Sequence, residues 1–498
     1  MLKKPWAVLL ALTAFALAVQ GYHPFAEDGG LYIAGVRKLL NPALYPVFTQ
    51  FVTEHLRFSL FAPCIALLVR TSHLRLQTVL LLLYCASTLA TLTAAWMLAA
   101  RAGATFAGRA GAAALLACWL TLPIAGTSLM LMDQYVTARS ISTPLILFAL
   151  AWTLDGMRGS RAGWLLTIAA LLVSAALHPL MAGYGIATVL LLAVLASSHA
   201  SVSRFGPWAL AAAALLLGSL LELHAPFESP AYLTVIATRY YWFPFHWHWY
   251  EQVGLIAPLA VLAALLRSSA QRNWQILGRL ALVLAGIALA VATVFSRTGM
   301  STHFVAYLQP LRSYQIVYEL MIILLGAWLG ERILSAHPWR WAILFAVLAP
   351  LMFFVERQTF PASRHFEDPW RAPLNPWEQA FLWTRDHTPV DAVFALDAHY
   401  ITKDGEDAQC FRPIAERSAL PDYSKDGGEA SITPNLSNLW LAGETAQTNL
   451  DEESDQQRAA KIVPFGATWV ILSQSSVTTW TCPYSNGTVK ICELPHRL

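Results

Sequence analysis

Charge is what this sequence has least of. Only 13% of its 498 residues are Asp, Glu, Lys or Arg, and the net charge is +3. So small an excess, spread over short segments, provides no basic surface for a nucleic acid. Cysteine is scarce too, with six in all. No Cys or His spacing resembles a zinc site. Cys64, Cys85 and Cys118 lie in apolar runs, where a thiol packs as a small hydrophobe. The sequence also lacks a convincing internal repeat, the usual mark of a transporter built from two related halves.

Apolar sequence fills the space that charge leaves. The chain is 56% hydrophobic, which excludes an ordinary soluble protein. Apolar runs recur from residue 6 to residue 355, and the texture turns mixed and polar after Glu356. The expected fold is therefore an all-α polytopic membrane bundle over residues 1–356, followed by a small extracytoplasmic α/β domain over 357–498. About eleven transmembrane helices are expected, near 6–20, 77–99, 111–128, 141–155, 164–178, 183–198, 208–222, 254–266, 281–296, 314–329 and 341–355. Met1 to Val19 also has the layout of a secretory signal, and the first run is read as a retained span rather than a cleaved one.

Basic residues orient the chain. Lys3, Lys4, Arg101, Arg109, Arg158, Arg161, Arg204, Arg267, Arg272, Arg279, Arg332 and Arg340 fall on one side of these spans. The short loops of the other side hold only Arg139, Arg239, Arg297 and Arg312. That asymmetry puts the N-terminus in the cytoplasm and the tail outside. The run from Phe58 to Val69 is too short to cross comfortably. It is read, with 31–41, as an interfacial helix inside a long first external loop covering about 21–76.

That loop opens with Tyr22-His23-Pro24-Phe25-Ala26-Glu27-Asp28-Gly29-Gly30-Leu31-Tyr32. Adjacent acids between Pro24 and a Gly pair form either a solvated turn or a reactive carboxylate site. Two further polar groupings fall on the same side: Asp133 with Arg139, and His178-Pro179. Taken singly, these read as a local ion pair and a satisfied core histidine. An aromatic stretch from Tyr240 to Tyr250 reads as an interfacial belt or as a wall for a lipid or sugar. Glu319, inside a span, partners a buried polar group or belongs to a functional site. In the tail, Asp391–Leu396 and Ala467–Leu472 read as buried strands, while 376–386 and 451–461 read as helices. Thr479 to Glu493 reads as a hairpin turning at Ser485-Asn486-Gly487, with Cys482 and Cys492 as disulfide partners across it. Cys410 is left without an obvious mate.

Together these features resemble the GT-C fold glycosyltransferases, membrane enzymes that take a sugar from a polyprenyl-phosphate carrier. The likeness is to the branch of protein O-mannosyltransferases and aminoarabinose transferases. An Asp-Glu-Ala-x-Tyr-like motif opens the first external loop of that branch, and Asp28 with Tyr32 matches its spacing. Phe51 to Arg70 resembles its interfacial helix, and Asp133 stands where it carries a second acid. His178-Pro179 is similar to its basic residue before Gly-Pro, and Tyr307 to Arg312 resembles its late Tyr/Pro segment. The tail opening, Trp383 to Ala392, matches Trp-x-Arg-Asp-x-Thr-Pro-x-Asp-Ala. Two departures stand out: the Glu-Asp order followed by Gly-Gly, and His in place of Lys at 178.

The resemblance implies transfer of a sugar to a cell-envelope acceptor at the outer face of a bacterial inner membrane. Asp28 is then the general base, with Glu27 and Asp133 as further catalytic acids. Arg139, His178, His303, Arg312 and Tyr32 are the expected contacts of the donor and its phosphate. A divalent cation, Mg or Mn, would be held by Glu27, Asp28 and Asp133 if one is used. The implied partners are the lipid-linked sugar donor and membrane lipid. The rival readings are a non-catalytic transporter or envelope assembly factor with the same bundle, and a polymer ligase.

Overall fold

The computed structural model describes residues 4–335 and 337–495, so Lys3 of the charge pattern lies outside the described residues. Two compact units emerge. The first comprises Met1–Gly21, Leu82–Phe227 and Tyr240–Val355; the second comprises Tyr22–Leu81, Glu228–Arg239 and Glu356–Leu498.

Every expected span overlaps a helix, but not all have the same standing. Among the described residues, six helices are long and apolar enough to cross a membrane. They are Leu76–Arg101, Pro179–Ala196, Ala200–Leu223, Trp249–Leu266, Arg272–Phe295 and Pro338–Thr359. Pro5–Gln20, Phe106–Cys118 and Arg161–Leu177 are apolar but shorter. The expected run 111–128 begins as helix and stops at Cys118; beyond it Pro123 and Met130 form an isolated antiparallel bridge. The run near 58–69 is the Phe61–Ser72 helix, bent 99° from Gln50–Phe58, so together they make a broken span or a re-entrant pair.

Local chemistry sets the helix starts of the first unit. Pro5 and Pro179 occupy first-turn positions, where a missing N–H costs nothing. Thr105 and Ser160 cap their helices by accepting the amides of Gly108 and Gly163. The Tyr314–Leu329 helix is buried along most of its length. It packs closely on Phe106–Cys118 because glycines face each other. A Cβ on Gly326 would meet Ala112 Cα at 2.8 Å, and one on Gly111 would meet Gly330 Cα at 2.9 Å. Small residues at such a seam replace the hydrophobic drive that lipid cannot supply. Glu319 is buried on this helix, beside Gln315, whose amide donates to Leu131 O at 2.7 Å.

The second unit holds the sheet. Its strands are β1 (Val393–Ala395), β2 (Ser418–Ala419), β3 (Trp469–Ser473), β4 (Tyr484–Ser485) and β5 (Val489–Glu493), in the order β2-β1-β3-β5-β4. β1 runs parallel to β2 and β3, while β5 runs antiparallel to β3 and β4. Cys482 and Cys492 are joined in a disulfide, and Cys410 is a buried free thiol. The polar tail shares its core with other stretches. Phe51 of the first loop, Val235 and Trp440 share one hydrophobic cluster, so residues from three distant stretches close a single core.

Candidate functional site

The acidic stretch enters the second unit as an edge. Tyr22 N donates to His365 O at 3.0 Å, and Glu27 N donates to Ala408 O at 2.8 Å. Cys410 N completes the pairing onto Phe25 O at 3.1 Å. Glu27 and Asp28 then start the helix Glu27–Leu40, where negative charge suits the positive end of the backbone dipole. Glu27 has a left-handed backbone, with φ near 52°, a conformation that non-glycine residues adopt at a cost. Gly30 explains one departure from the resembled motif. A Cβ there would collide with the Cys410 side chain and come within 2.7 Å of Phe25 O. Only glycine lets this helix turn pass Cys410.

The partner of the two acids comes from the tail. Lys425 Nζ donates to Glu27 Oε2 and lies 3.4 Å from Asp28 Oδ1. The acid side chains keep 45% and 39% exposure, whereas Lys425 keeps 13%. Burial opposes the Lys425 charge, but Glu27 and then Asp28 outweigh it, so its pKa rises well above the ordinary lysine value. Asp28 is the looser partner of the two.

Lys425 is held by a dense turn. Asp422 accepts the Lys425 amide at 2.6 Å, and Asp426 accepts the Asp422 amide at 2.8 Å. Arg412 bonds Asp426 at 2.6 Å. Arg239 donates to the carbonyls of Tyr423 at 2.8 Å and Ser424 at 2.7 Å, with its guanidinium 5.5 Å from the Tyr423 ring. Glu406 is buried beneath this region with neither carboxyl oxygen hydrogen-bonded. Burial, with Asp407 and Glu27, pushes its pKa well up. Tyr32, one turn after Asp28, packs edge-on against His55 and Phe61 at 5.7 and 5.3 Å. Its immediate environment is aromatic.

A second charged group precedes the acids. His23 bonds Glu356 at 2.9 Å and Glu367 at 3.1 Å, and stacks on Phe360 with ring centroids 4.0 Å apart. His365 holds the other oxygen of Glu356 at 2.5 Å. Burial works against the His23 charge, yet Glu367 and Glu356 lift its pKa to about 9.

The other predicted residues belong to the first unit. Asp133 and Arg139 form a pair at 2.6 Å, both nearly buried, with Thr137 Oγ1 3.4 Å from the same carboxyl oxygen. Gln134 donates to Gln20 O, tying this segment to the end of the first helix. His178 caps the Pro179–Ala196 helix, its Nδ1 accepting the Met181 amide at 3.4 Å. His303 is buried, 3.4 Å from Thr298 O and edge-on to Phe243. Arg312 sits in a short 3-10 turn, Pro310–Ser313, with its guanidinium 5.7 Å from the Tyr241 ring. Glu27, Asp28 and Tyr32 thus lie in one unit, and Asp133, Arg139, His178, His303 and Arg312 in the other.

Sequence reasoning missed Lys425, Arg239 and the His23 cluster. The stretch Pro421-Asp422-Tyr423-Ser424-Lys425-Asp426-Gly427-Gly428 carries turn chemistry, but nothing in it names its partners. No group of three or more His, Cys, Asp or Glu among the described residues is arranged to hold a metal ion.

No protein-family model matches the chain. No curated protein matches it either. Among solved structures, it is similar to the Archaeoglobus fulgidus oligosaccharyltransferase in its apo form, at 9% identity and a TM-score of 0.48, covering 95% of this chain and 70% of that one. The archaeal enzyme from the same organism, solved with an inhibitory peptide and a dolichol-phosphate, matches at 11% identity and a TM-score of 0.43, covering 95% and 70%. Its complex with zinc and sulfate matches at 11% identity and a TM-score of 0.38, covering 94% and 68%.

Proposed function

We propose that this chain is an integral membrane glycosyltransferase of GT-C type. In this reading it moves a sugar from a polyprenyl-phosphate carrier to an envelope acceptor outside the bacterial inner membrane. Its N-terminus is cytoplasmic and its sheet-bearing region extracytoplasmic. The observation that carries the reading is the half-exposed Glu27–Asp28 pair held by Lys425 at a helix start. Ionised carboxylates fixed at a surface suit the task of taking a proton from an acceptor hydroxyl. Asp28 is the base, because its contact with Lys425 is the longer one. Lys425 is a positioning residue that aims the pair. Arg312 serves the carrier phosphate through its terminal nitrogens, whereas the Arg139 guanidinium is committed to Asp133. The Lys425 ammonium already answers Glu27 and Asp28, so no step of this reading is routed through a divalent cation.

Turnover of a polyprenyl-phosphate sugar by purified protein tests the proposal. Asp28→Asn should lower the rate by about 10²–10⁴-fold, the range for loss of a general base, with expression and carrier binding kept. Wild-type rates in that variant would remove Asp28 from the mechanism.

A further inference from the structure

Four of the residues that line one pocket of the first unit each carry a buried side-chain polar atom without a hydrogen-bond partner. These atoms are Trp242 Nε1, Ser296 Oγ, Gln309 Oε1 and Arg312 Nε. Trp242, Ser296 and Gln309 are 2%, 1% and 9% exposed. Buried polar groups are nearly always hydrogen-bonded, so four around one pocket point to a polar ligand. The space between them is about 10 Å³, room for one water-sized group.

The backbone supports a built site. Gln309 has a left-handed conformation, φ near 50°, that side-chain-bearing residues rarely adopt. Tyr184 holds it there, its hydroxyl donating to Leu308 O and, at 2.9 Å, to Gln309 O. The Gln309 amide nitrogen is 3.4 Å from Tyr307 O, which leaves Oε1 for the pocket.

The donor and acceptor pattern selects the ligand. Trp242 and Arg312 can only donate, Gln309 Oε1 can only accept, and Ser296 can do either. A phosphate oxygen would face Gln309 with nothing to donate. A hydroxyl satisfies the set, accepting from the indole and guanidinium and donating to the amide oxygen. We propose that this pocket reads one hydroxyl group of a carbohydrate ring, the sugar of the lipid-linked donor. Ser296 also borders a more open cavity of about 290 Å³ lined by Phe243, Phe245, His246 and Arg297. That space, close to the small end of ligand pockets, takes the rest of the ring against aromatic faces.

The sugar assignment rests on the glycosyltransferase reading; the hydroxyl assignment does not. Indole-¹⁵N-labelled protein in a sugar-free detergent tests it, with Trp242 identified as the signal lost in Trp242→Phe. Methyl glycosides of glucose, galactose, mannose and N-acetylglucosamine are titrated, with inorganic phosphate as the counter-probe. At least one glycoside should shift the Trp242 signal saturably, and Ser296→Ala should weaken that binding roughly tenfold, the scale of one lost hydrogen bond. A shift with phosphate alone overturns the proposal, as does no shift with any probe, which would mean a resident water. Activity separates the two readings. Turnover of a lipid-linked sugar with an unchanged KM in Trp242→Phe sinks the hydroxyl site and spares the transferase. Glycoside binding without turnover of any lipid-linked sugar does the reverse.

Discussion

The Glu27–Asp28 site and the Asp133–Arg139 pair are both short-range charge groupings, yet the protein treats them oppositely. In the second unit the acids stay 45% and 39% exposed while their lysine keeps 13% and is braced by a turn. In the first unit acid and base are both closed in, at 4% and 6% side-chain exposure, and hold one another. An open carboxylate retains the freedom to take a proton. A closed pair spends its charge on its partner and stabilises the segment that carries it. The contrast teaches that acids of equal interest in sequence divide by where their counter-charge comes from. Asp133 finds its arginine six residues away, whereas Glu27 and Asp28 find theirs almost four hundred residues on.

The comparison can be broken most forcefully at the open site. Lys425→Met should cost activity through misdirected acids, lowering turnover by about 10–100-fold at unchanged fold, as misplacement of a catalytic group does. Circular dichroism checks the fold, and Lys425→Arg should restore part of the rate. A full rate in Lys425→Met would place the lysine outside the site.

At the closed site the expected loss is in stability. Asp133→Ala takes the bonded carboxylate away from a buried guanidinium and should destabilise the protein by about 3–5 kcal/mol, read as a lowered unfolding temperature in detergent. A double variant, Asp133→Leu with Arg139→Met, should recover most of it, because no uncompensated charge remains. Equal losses in the two variants would count against a mainly structural pair.

His23 sharpens the contrast through pH. Its pKa is raised in the folded protein, from 6.5 to about 9. The stability it contributes is complete below pH 6.5 and is lost as pH rises through about 9. The difference corresponds to about 3 kcal/mol at most. The groups facing it are Glu356 and Glu367, with His365 on the far side of Glu356. Unfolding temperatures between pH 6 and 10 should fall across that window in the native chain and fall less in His23→Gln. The smallest effect is expected at His178. If its role is the cap, His178→Asn should leave stability nearly unchanged and His178→Ala should cost about 1 kcal/mol. A loss of turnover far beyond that in His178→Asn would return it to the phosphate.

Much of the fold was written in local sequence. Apolar run lengths placed the helices, since burial and backbone hydrogen bonding within a run depend only on neighbours in the chain. Pro376 and Asn375 start the helix Pro376–His387, and the Asn486-Gly487 turn pairs Tyr484–Ser485 with Val489–Glu493. The end of the Phe106–Cys118 helix was not legible, because Leu120, Ile124 and Leu129 beyond it stay buried in a run of turns and carry no mark of that. The departure at Gly30 was visible in sequence, but its reason lies in Cys410, far along the chain.

By itself, then, the sequence determined that this is a membrane protein of many apolar helices with a polar, sheet-forming tail, and that Glu27 and Asp28 open its first loop. Only the tertiary structure decided that the loop, Glu228–Arg239 and the tail close one core, and that Lys425 answers the acids. It alone gathered Trp242, Ser296, Gln309 and Arg312 around one small pocket. The physical reason is the same in each case. Propensity, capping and run length act over a few residues, while counter-charge, close approach and unpaired polar groups are set by segments that meet only when the chain has folded.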